Sequence, residues 1–314
     1  MKFAVFCISG LCDQILAKIR LAALDSIAYH DISSTIPVAP ITSWTSAWSS
    51  VGPAVHGKFK GARGKKSKVD NIWDTLERQG YDITLHEEGD WMGVKGDIHI
   101  YRLDSMVDFL LSEDLSRAQE SLNDLAEVIS KVDVPYLVIS ALGVCEYSVS
   151  LNIDNLLVLR QFMQMGERGE VLYDKTYAYP ADYTGSKPRP TYGIFLNTIM
   201  RDNGFMEHSE AMDIEAELMS QLNQVDDVQA ISAHQVYDIG GQHYDELPDI
   251  VFRSEGHTCF LNTGIANTDI VSSYRHYGLS STGMIASNHE SLIQGINTVT
   301  DIREAIMRGV KAIG

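Results

Sequence analysis

The sequence contains few cysteines and no cysteine-pair motif. Its 314 residues include four cysteines, and no two of them are spaced as Cys-x-x-Cys. These are Cys7, Cys12, Cys145 and Cys259. The pattern is not that of a disulfide framework, so reduced thiols in a cytoplasmic protein are expected.

Long hydrophobic runs are also absent. No stretch of about 18 or more apolar residues occurs, which predicts that no segment spans a membrane. The apolar run at residues 3–11 is too short for a secretory signal, and Asp13 follows it closely.

Positive charge is scarce. Lysine and arginine total 25 against 42 aspartates and glutamates, a net charge of −17. This balance argues against nucleic-acid binding, which depends on clustered basic side chains. One basic, glycine-containing run occupies residues 58–68. It is compatible with a solvated loop or with a segment that binds an anionic ligand.

The remaining composition is that of a globular protein with a sizeable core: 45% hydrophobic and 21% charged residues. The length allows one large domain or two ordinary ones. Apolar runs predict strands, and three- and four-residue apolar spacing predicts helices. The predicted strands are 2–9, 81–85, 97–103 and 135–140, and the clearest predicted helices are 13–25, 71–79, 112–132, 211–224 and 300–310. This alternation favours an α/β layer fold.

Several segments carry a family resemblance, in order along nearly the whole chain. They are STIPVAPITSWTSAWSSVGPAVHG (34–57), IWDTL (72–76), DKTYAY (174–179), YGIFLN (192–197), ELPDIV (246–251) and GMIAS (283–287). Together they resemble the type I phosphodiesterase and nucleotide-pyrophosphatase branch of the alkaline-phosphatase superfamily. The resemblance implies a three-layer α/β sandwich with a largely parallel central sheet. It implies a single domain over residues 1–314, with room for an inserted cap or subdomain around residues 151–250.

The superfamily's chemistry uses two divalent ions and a Ser or Thr nucleophile, and the ions need carboxylate and imidazole ligands. Seven positions of this chain correspond to the expected ligands and nucleophile. They are Cys12, Pro40, Asp104, Asp108, Ala141, Leu142 and Leu279. Only Asp104 keeps the family's residue, and Asp108 replaces a histidine with a carboxylate. Since proline has no hydroxyl and the aliphatic residues disfavour an ion, no metal and no cofactor is expected.

Five residues remain as candidates for chemistry. Cys12 is either a repurposed thiolate or a small buried hydrophobe. Asp13 either replaces the lost strand-end carboxylate or caps the following helix. Asp104 and Asp108 lie four apart, on one face if the segment is helical, and form either a residual cation or acid–base pair or a solvated helix start. His56 either binds an anion or acts as an acid, or is a hydrogen-bonded structural residue.

Three functions follow from these residues. The first is a catalytically degenerate protein that binds a small molecule or partner through the former active-site cleft. The alternative is a metal-independent enzyme of changed chemistry on the same fold, for instance a biosynthetic one. The third is an intact phosphodiesterase with unrecognised ligands; the late histidines show no metal-ligand spacing. The acidic surface and apolar helices also allow self-association into a homo-oligomer.

Overall fold

The computed structural model describes residues 1–58, 69–89, 91, 95–181, 188–202, 204–254, 256–261 and 269–312. The basic run at 58–68 lies outside the described residues except for Lys58. The chain divides into two compact units. The first unit comprises Met1–Gly52, Ala62–Cys145 and Leu279–Gly314, and the second comprises Pro53–Gly61 and Glu146–Gly278. The prediction of one domain with an insertion around 151–250 stays a prediction.

The first unit is built on a six-stranded sheet, with strands and helices numbered along the chain. Its strands are β1 (Phe3–Ile8), β2 (Ala28–Ser33), β3 (Ile83–His86), β4 (Ile98–Leu103), β5 (Tyr136–Ser140) and β13 (Thr282–Ser287). Their order is β2-β13-β5-β1-β4-β3. The pairs β1–β4, β1–β5 and β3–β4 are parallel, whereas β13 is antiparallel to both β5 and β2. The predicted largely parallel sheet is confirmed.

Both faces of the central strand β1 are buried, as an apolar run of this kind requires in a parallel sheet. All six residues of β1 are buried. One face packs in a core with the helices α2 (Pro40–Ser49), α4 (Ile72–Arg78) and α9 (Ile302–Ala312). The unit also contains α1 (Asp13–Leu16), α5 (Met106–Leu111) and α6 (Leu115–Ser130). In α6 the apolar stripe predicted from the sequence is buried at Ala118, Leu122, Leu125 and Ile129.

The second unit contains two smaller sheets. One has the order β7-β8-β10-β9, with antiparallel pairs, and the other has the order β11-β6-β12. The strands are β6 (Gly143–Asn152), β7 (Ala178–Pro180), β8 (Thr191–Leu196), β9 (Val228–Ser232), β10 (Ile250–Ser254), β11 (Thr258–Leu261) and β12 (Val271–Ser280). The first residues of β6, up to Cys145, and the last two of β12, from Leu279, belong to the first unit. The helices are α3 (Pro53–His56), α7 (Ile153–Leu159) and α8 (His208–Leu222). Apolar residues of α7, α8, β8 and β10 form one core.

The predicted helix at 13–25 is wrong in its length. The α-helix ends at Leu16, and a separate 3-10 turn follows at Ala22–Ser26. Of the apolar residues that suggested a continuous helix, Ile19, Leu21 and Leu24 are nevertheless buried, and Leu16 is half-buried. The apolar spacing therefore indicates which side chains are buried, although the backbone of this segment is not one continuous helix. Across the described ranges, no helix combines the length and the apolarity that crossing a bilayer requires.

Candidate functional site

The carboxyl ends of the parallel strands β1, β4 and β5 meet at one edge of the first unit's sheet, where α/β proteins place their ligands. The start of β13 lies at the same edge, because β13 is antiparallel to β5 and Met284 pairs with Ser140. The positions that correspond to the family's ligands after β5 and before β13 are Ala141, Leu142 and Leu279. Their side chains are buried, with at most 4% exposed. At the positions where the resemblance implies charged ligands, the chain therefore has buried apolar side chains.

Cys12 follows β1 at this edge and is 3% exposed. Its thiol donates a hydrogen bond to the Val144 carbonyl oxygen at 3.2 Å. Burial raises the pKa of Cys12, and the nearby Asp31 carboxylate raises it further. A protonated, hydrogen-bonded thiol is a poor nucleophile, so the geometry favours the small buried hydrophobe of the two interpretations.

Asp13 is the exposed first residue of α1. The Asp31 carboxylate, on β2, lies near Asp13 at the start of this short helix. Burial raises the pKa of Asp31, and the Asp13 carboxylate adds to that effect. Sequence reasoning missed Asp31, because 18 residues separate it from Asp13 and the two meet only through the position of β2.

Asp104 lies between β4 and α5, outside the helix, so it does not share a helix face with Asp108. The Asp104 carboxylate forms an ion pair with Arg102, and 53% of its side chain is exposed. Arg102 also contacts Glu87, at 3.5 Å. Asp108 is exposed in the first turn of α5. The two aspartates therefore lie on either side of the start of α5.

His56 lies in the second unit and ends the short helix α3. Its side chain is 2% exposed, and its Nδ1 accepts a hydrogen bond from the Lys58 backbone N–H at 2.9 Å. Burial lowers the pKa of His56 to about 4, with smaller contributions from His243 and Lys58. A neutral, buried histidine that accepts a backbone hydrogen bond fits the structural interpretation better than anion binding.

The superfamily's two-metal chemistry provides a test of these residues, and they do not fit it. The only carboxylates at the ligand positions are Asp104, which is paired with Arg102, and the exposed Asp108. Among the described residues, no group of three or more His, Cys, Asp or Glu side chains is arranged to hold a metal ion. The donors that two clamped dications require are therefore not assembled there.

A cavity of about 640 Å³ opens beside this edge, entirely within the first unit. Three of the chain's four tryptophans line it, at Trp44, Trp48 and Trp73. The Trp44 and Trp48 rings stack with centroids 4.9 Å apart, and Trp48 and Trp73 lie 5.2 Å apart at 59°. The Trp44 indole N–H donates to the Ser9 hydroxyl at 2.8 Å, which fixes that ring.

The rest of the lining is mixed. Leu85, which is 49% exposed, and Ile100 extend the apolar wall. The polar lining residues are Ser9, Thr45, Asn71, Glu77, Arg102 and Asp104. Asp104 is the one predicted candidate in this lining; Cys12, Asp13 and Asp108 do not belong to it. The spacing of Trp44 and Trp48, four apart on α2, was a usable signal, but the partnership with Trp73 was not visible in the sequence.

No protein-family model matches this sequence, and no curated protein matches it either. Solved structures do match. Phosphonoacetate hydrolase from Sinorhizobium meliloti, in complex with phosphonoformate, superposes with a TM-score of 0.65 at 12% identity, over 100% of this chain and 96% of that one. Murine ectonucleotide pyrophosphatase/phosphodiesterase 5 gives a TM-score of 0.58 at 10% identity, over 99% and 95%. An inactive form of that murine protein in complex with AMP gives 0.60 at 11% identity, over 99% and 95%. The resemblance read from the sequence is thus confirmed at the level of the fold, and the chain has an alkaline-phosphatase-like fold of the kind found in these phosphonate and nucleotide hydrolases.

Proposed function

We propose that this chain is a catalytically degenerate protein with an alkaline-phosphatase-like fold, and that it binds a small molecule through the tryptophan-lined cavity. The observation that supports the first part is the buried apolar edge formed by Ala141, Leu142 and Leu279. An ion there would lose its water without gaining ligands, at a cost of many kcal/mol. Pro40 adds to this, because it begins α2 where the family has its hydroxyl nucleophile.

The cavity supports the second part. Its volume lies within the range of about 300–1,000 Å³ that small-molecule pockets occupy. The Trp44–Trp48 stack and the tilted Trp73 ring present aromatic surface to a ligand, while Asn71, Arg102 and Glu77 offer polar contacts at the wall. A small molecule with a planar apolar group and polar substituents fits this lining.

Metal binding and hydrolysis test the first part directly. The purified protein is incubated with zinc and then with manganese, dialysed, and analysed for metal content and for hydrolysis of bis(4-nitrophenyl) phosphate. We expect less than one ion per chain and no metal-dependent turnover, with a metal-dependent enzyme of the same fold as positive control. Two tightly held ions per chain, or turnover that EDTA abolishes, would refute the proposal.

A matched pair of probes tests the cavity. In calorimetry, we expect 1-naphthol to bind roughly two- to tenfold more tightly than its saturated counterpart decahydro-1-naphthol. This ratio corresponds to the free energy that aromatic stacking contributes. Trp73→Ala should remove the preference, whereas Trp91→Phe should keep it, because Trp91 is not among the lining residues. Equal binding of the two probes, or an unchanged preference in Trp73→Ala, would contradict the assignment of the cavity.

The metal-independent enzyme stays the alternative, with Asp104 as its best-placed residue because it borders the cavity. Turnover of any substrate in EDTA that Asp104→Ala abolishes and Asp108→Ala does not would favour it. The predicted cytoplasmic location and self-association likewise stay predictions.

A further inference from the structure

The second unit carries a groove that the cavity of the first unit does not explain. It encloses about 580 Å³ between the turn after β8, the start of α8 and the segment before β10. Three apolar side chains stand on its rim with large exposed fractions: Ile199 at 53%, Met200 at 89% and Met212 at 58%. Exposed apolar side chains grouped in this way mark interaction surfaces, and methionine adapts to varied partners.

Glu215, Ser232 and His234 lie together where α8 meets the end of β9, and they form the acceptor floor of the groove. The Ser232 hydroxyl donates to the Glu215 carboxylate and lies 2.9 Å from His234 Nδ1. Because the single hydroxyl hydrogen of Ser232 is used on Glu215, His234 Nδ1 must be the donor of the second bond. In the neutral ring, His234 Nε2 is then an acceptor. His234 is exposed and lines the groove together with Asp245.

Arg201, the one arginine among the described residues that line the groove, is already engaged. Arg201 donates to the Asp249 carboxylate at 2.9 Å and to the Leu196 and Leu247 carbonyl oxygens at 3.1 and 3.4 Å. Its guanidinium also lies 4.3 Å from the Phe195 ring centroid. The groove therefore does not offer this cation to an anionic ligand. Glu207, Glu215 and Asp245 leave it acidic.

We propose that this groove docks a basic amphipathic segment of another polypeptide. Lysine or arginine side chains of the segment enter the hollow and donate to Glu215, Asp245 and His234. Its apolar side chains cover Ile199, Met200 and Met212. This occupant matches the acidic charge, the acceptor floor and the apolar rim of the groove. A purely apolar partner would bury the acceptors of the floor without giving them donors. An anionic partner would be repelled by the acidic side chains.

Matched synthetic peptides test the proposal on the full chain. One twelve-residue probe has leucines on one helical face and lysines on the other; the second replaces lysine with glutamate, and the third replaces leucine with serine. Fluorescence anisotropy should show the leucine–lysine peptide binding at least about tenfold more tightly than either of the others. Equal binding of the lysine peptides with and without leucine would reduce the effect to attraction by the chain's net charge of −17 and overturn the proposal.

Two double variants test whether the peptide binds in this groove. Met200→Ser with Met212→Ser should weaken the leucine–lysine peptide about tenfold. Leu159→Ser with Ile239→Ser removes apolar side chains that are 58% and 64% exposed elsewhere in the same unit, and should leave binding unchanged. Circular dichroism and thermal unfolding verify that both variants fold. An equal loss of peptide affinity in both double variants would overturn the proposal. So would a dimer that dissociates in Met200→Ser/Met212→Ser while no peptide binds, because the occupant is then a second copy of the chain.

Discussion

Acidification should destabilise the second unit through His56, a buried imidazole with a strongly lowered pKa. In the unfolded chain this histidine titrates near the ordinary value of 6.5, whereas in the folded protein its pKa is about 4. Between these two values the unfolded chain binds a proton that the folded chain does not. The contribution of His56 is therefore fully present above pH 6.5 and is lost progressively as the pH falls towards 4.

The magnitude follows from that gap. A difference of roughly 2.5 pH units corresponds to about 3 kcal/mol, of which about 2.5 kcal/mol is lost by pH 4.5. The structural reason is that a proton on Nδ1 turns the acceptor of the Lys58 N–H into a second donor, in a site that is 2% exposed. Both the lost hydrogen bond and the buried charge oppose protonation.

Urea unfolding at pH 7.5 and 4.5 measures this, with the variant compared to wild type at each pH. Many carboxylates titrate in the same range, so the informative quantity is the difference in pH dependence. His56→Asn keeps a polar acceptor without the titrating ring, and should lose about 2.5 kcal/mol less than wild type between the two conditions, whatever its stability at pH 7.5. His289→Asn removes an exposed ring and should follow the wild type. Parallel pH dependence in wild type and His56→Asn would refute the reasoning, as would an NMR titration of the His56 ring near pH 6.5.

Three further outcomes are expected, each readable by urea or thermal unfolding. Thr42→Val should stabilise the protein by about 1 kcal/mol, because the Thr42 hydroxyl is fully buried without a hydrogen-bond partner; a loss of stability would show that the hydroxyl is satisfied. Gly143→Ala should destabilise by at least about 2 kcal/mol, since the added carbon would lie 2.7 Å from Cys12 Cβ and against the Thr282 carbonyl oxygen, whereas Gly52→Ala, with open space around it, should change stability by less than about 1 kcal/mol. Arg201→Met should cost about 1.5–3 kcal/mol, because the Asp249 carboxylate, 33% exposed, would keep the Leu196 N–H but lose its charged partner, and adding Asp249→Asn should recover part of that loss; no recovery would mean that the carbonyl contacts of Arg201 carry the effect.

Local patterns predicted much of the first unit. The apolar run that became β1, the strand β5 and the stripe of α6 each need only neighbouring residues to be recognised. The reversed direction of β13 could not be predicted in this way, because its pairing joins Met284 to Ser140, far away in the chain. The early end of α1 could not be predicted for a different reason. The residues after Leu16 bury their apolar side chains in a backbone conformation that is not α-helical, so the apolar spacing continues past the end of the helix.

Family motifs assigned Pro40, Leu142 and Leu279 to the positions of the expected nucleophile and ligands, and these assignments stay predictions. The sequence did not predict the surroundings of the candidate residues. The closeness of Asp31 to Asp13, and the packing of Trp73 against the Trp44–Trp48 stack, depend on how separate elements pack. The Glu215–Ser232–His234 floor of the second unit is of the same kind, since α8 and β9 bring it together. The spacing of residues along the sequence does not predict such contacts.

The apolar edge of the first unit also bears on how this protein can evolve. Restoring a carboxylate at Leu142 alone would put an unneutralised charge at a fully enclosed position, at a penalty of several kcal/mol, comparable to the whole stability of many domains. The same holds for Leu279 taken singly, and a threonine at position 40 would have no ion to activate it. Under the proposed function, each ligand residue would be harmful until the others were present with it, so selection acting one substitution at a time would hold the chain away from hydrolysis and leave the neighbouring tryptophan surface free to diverge.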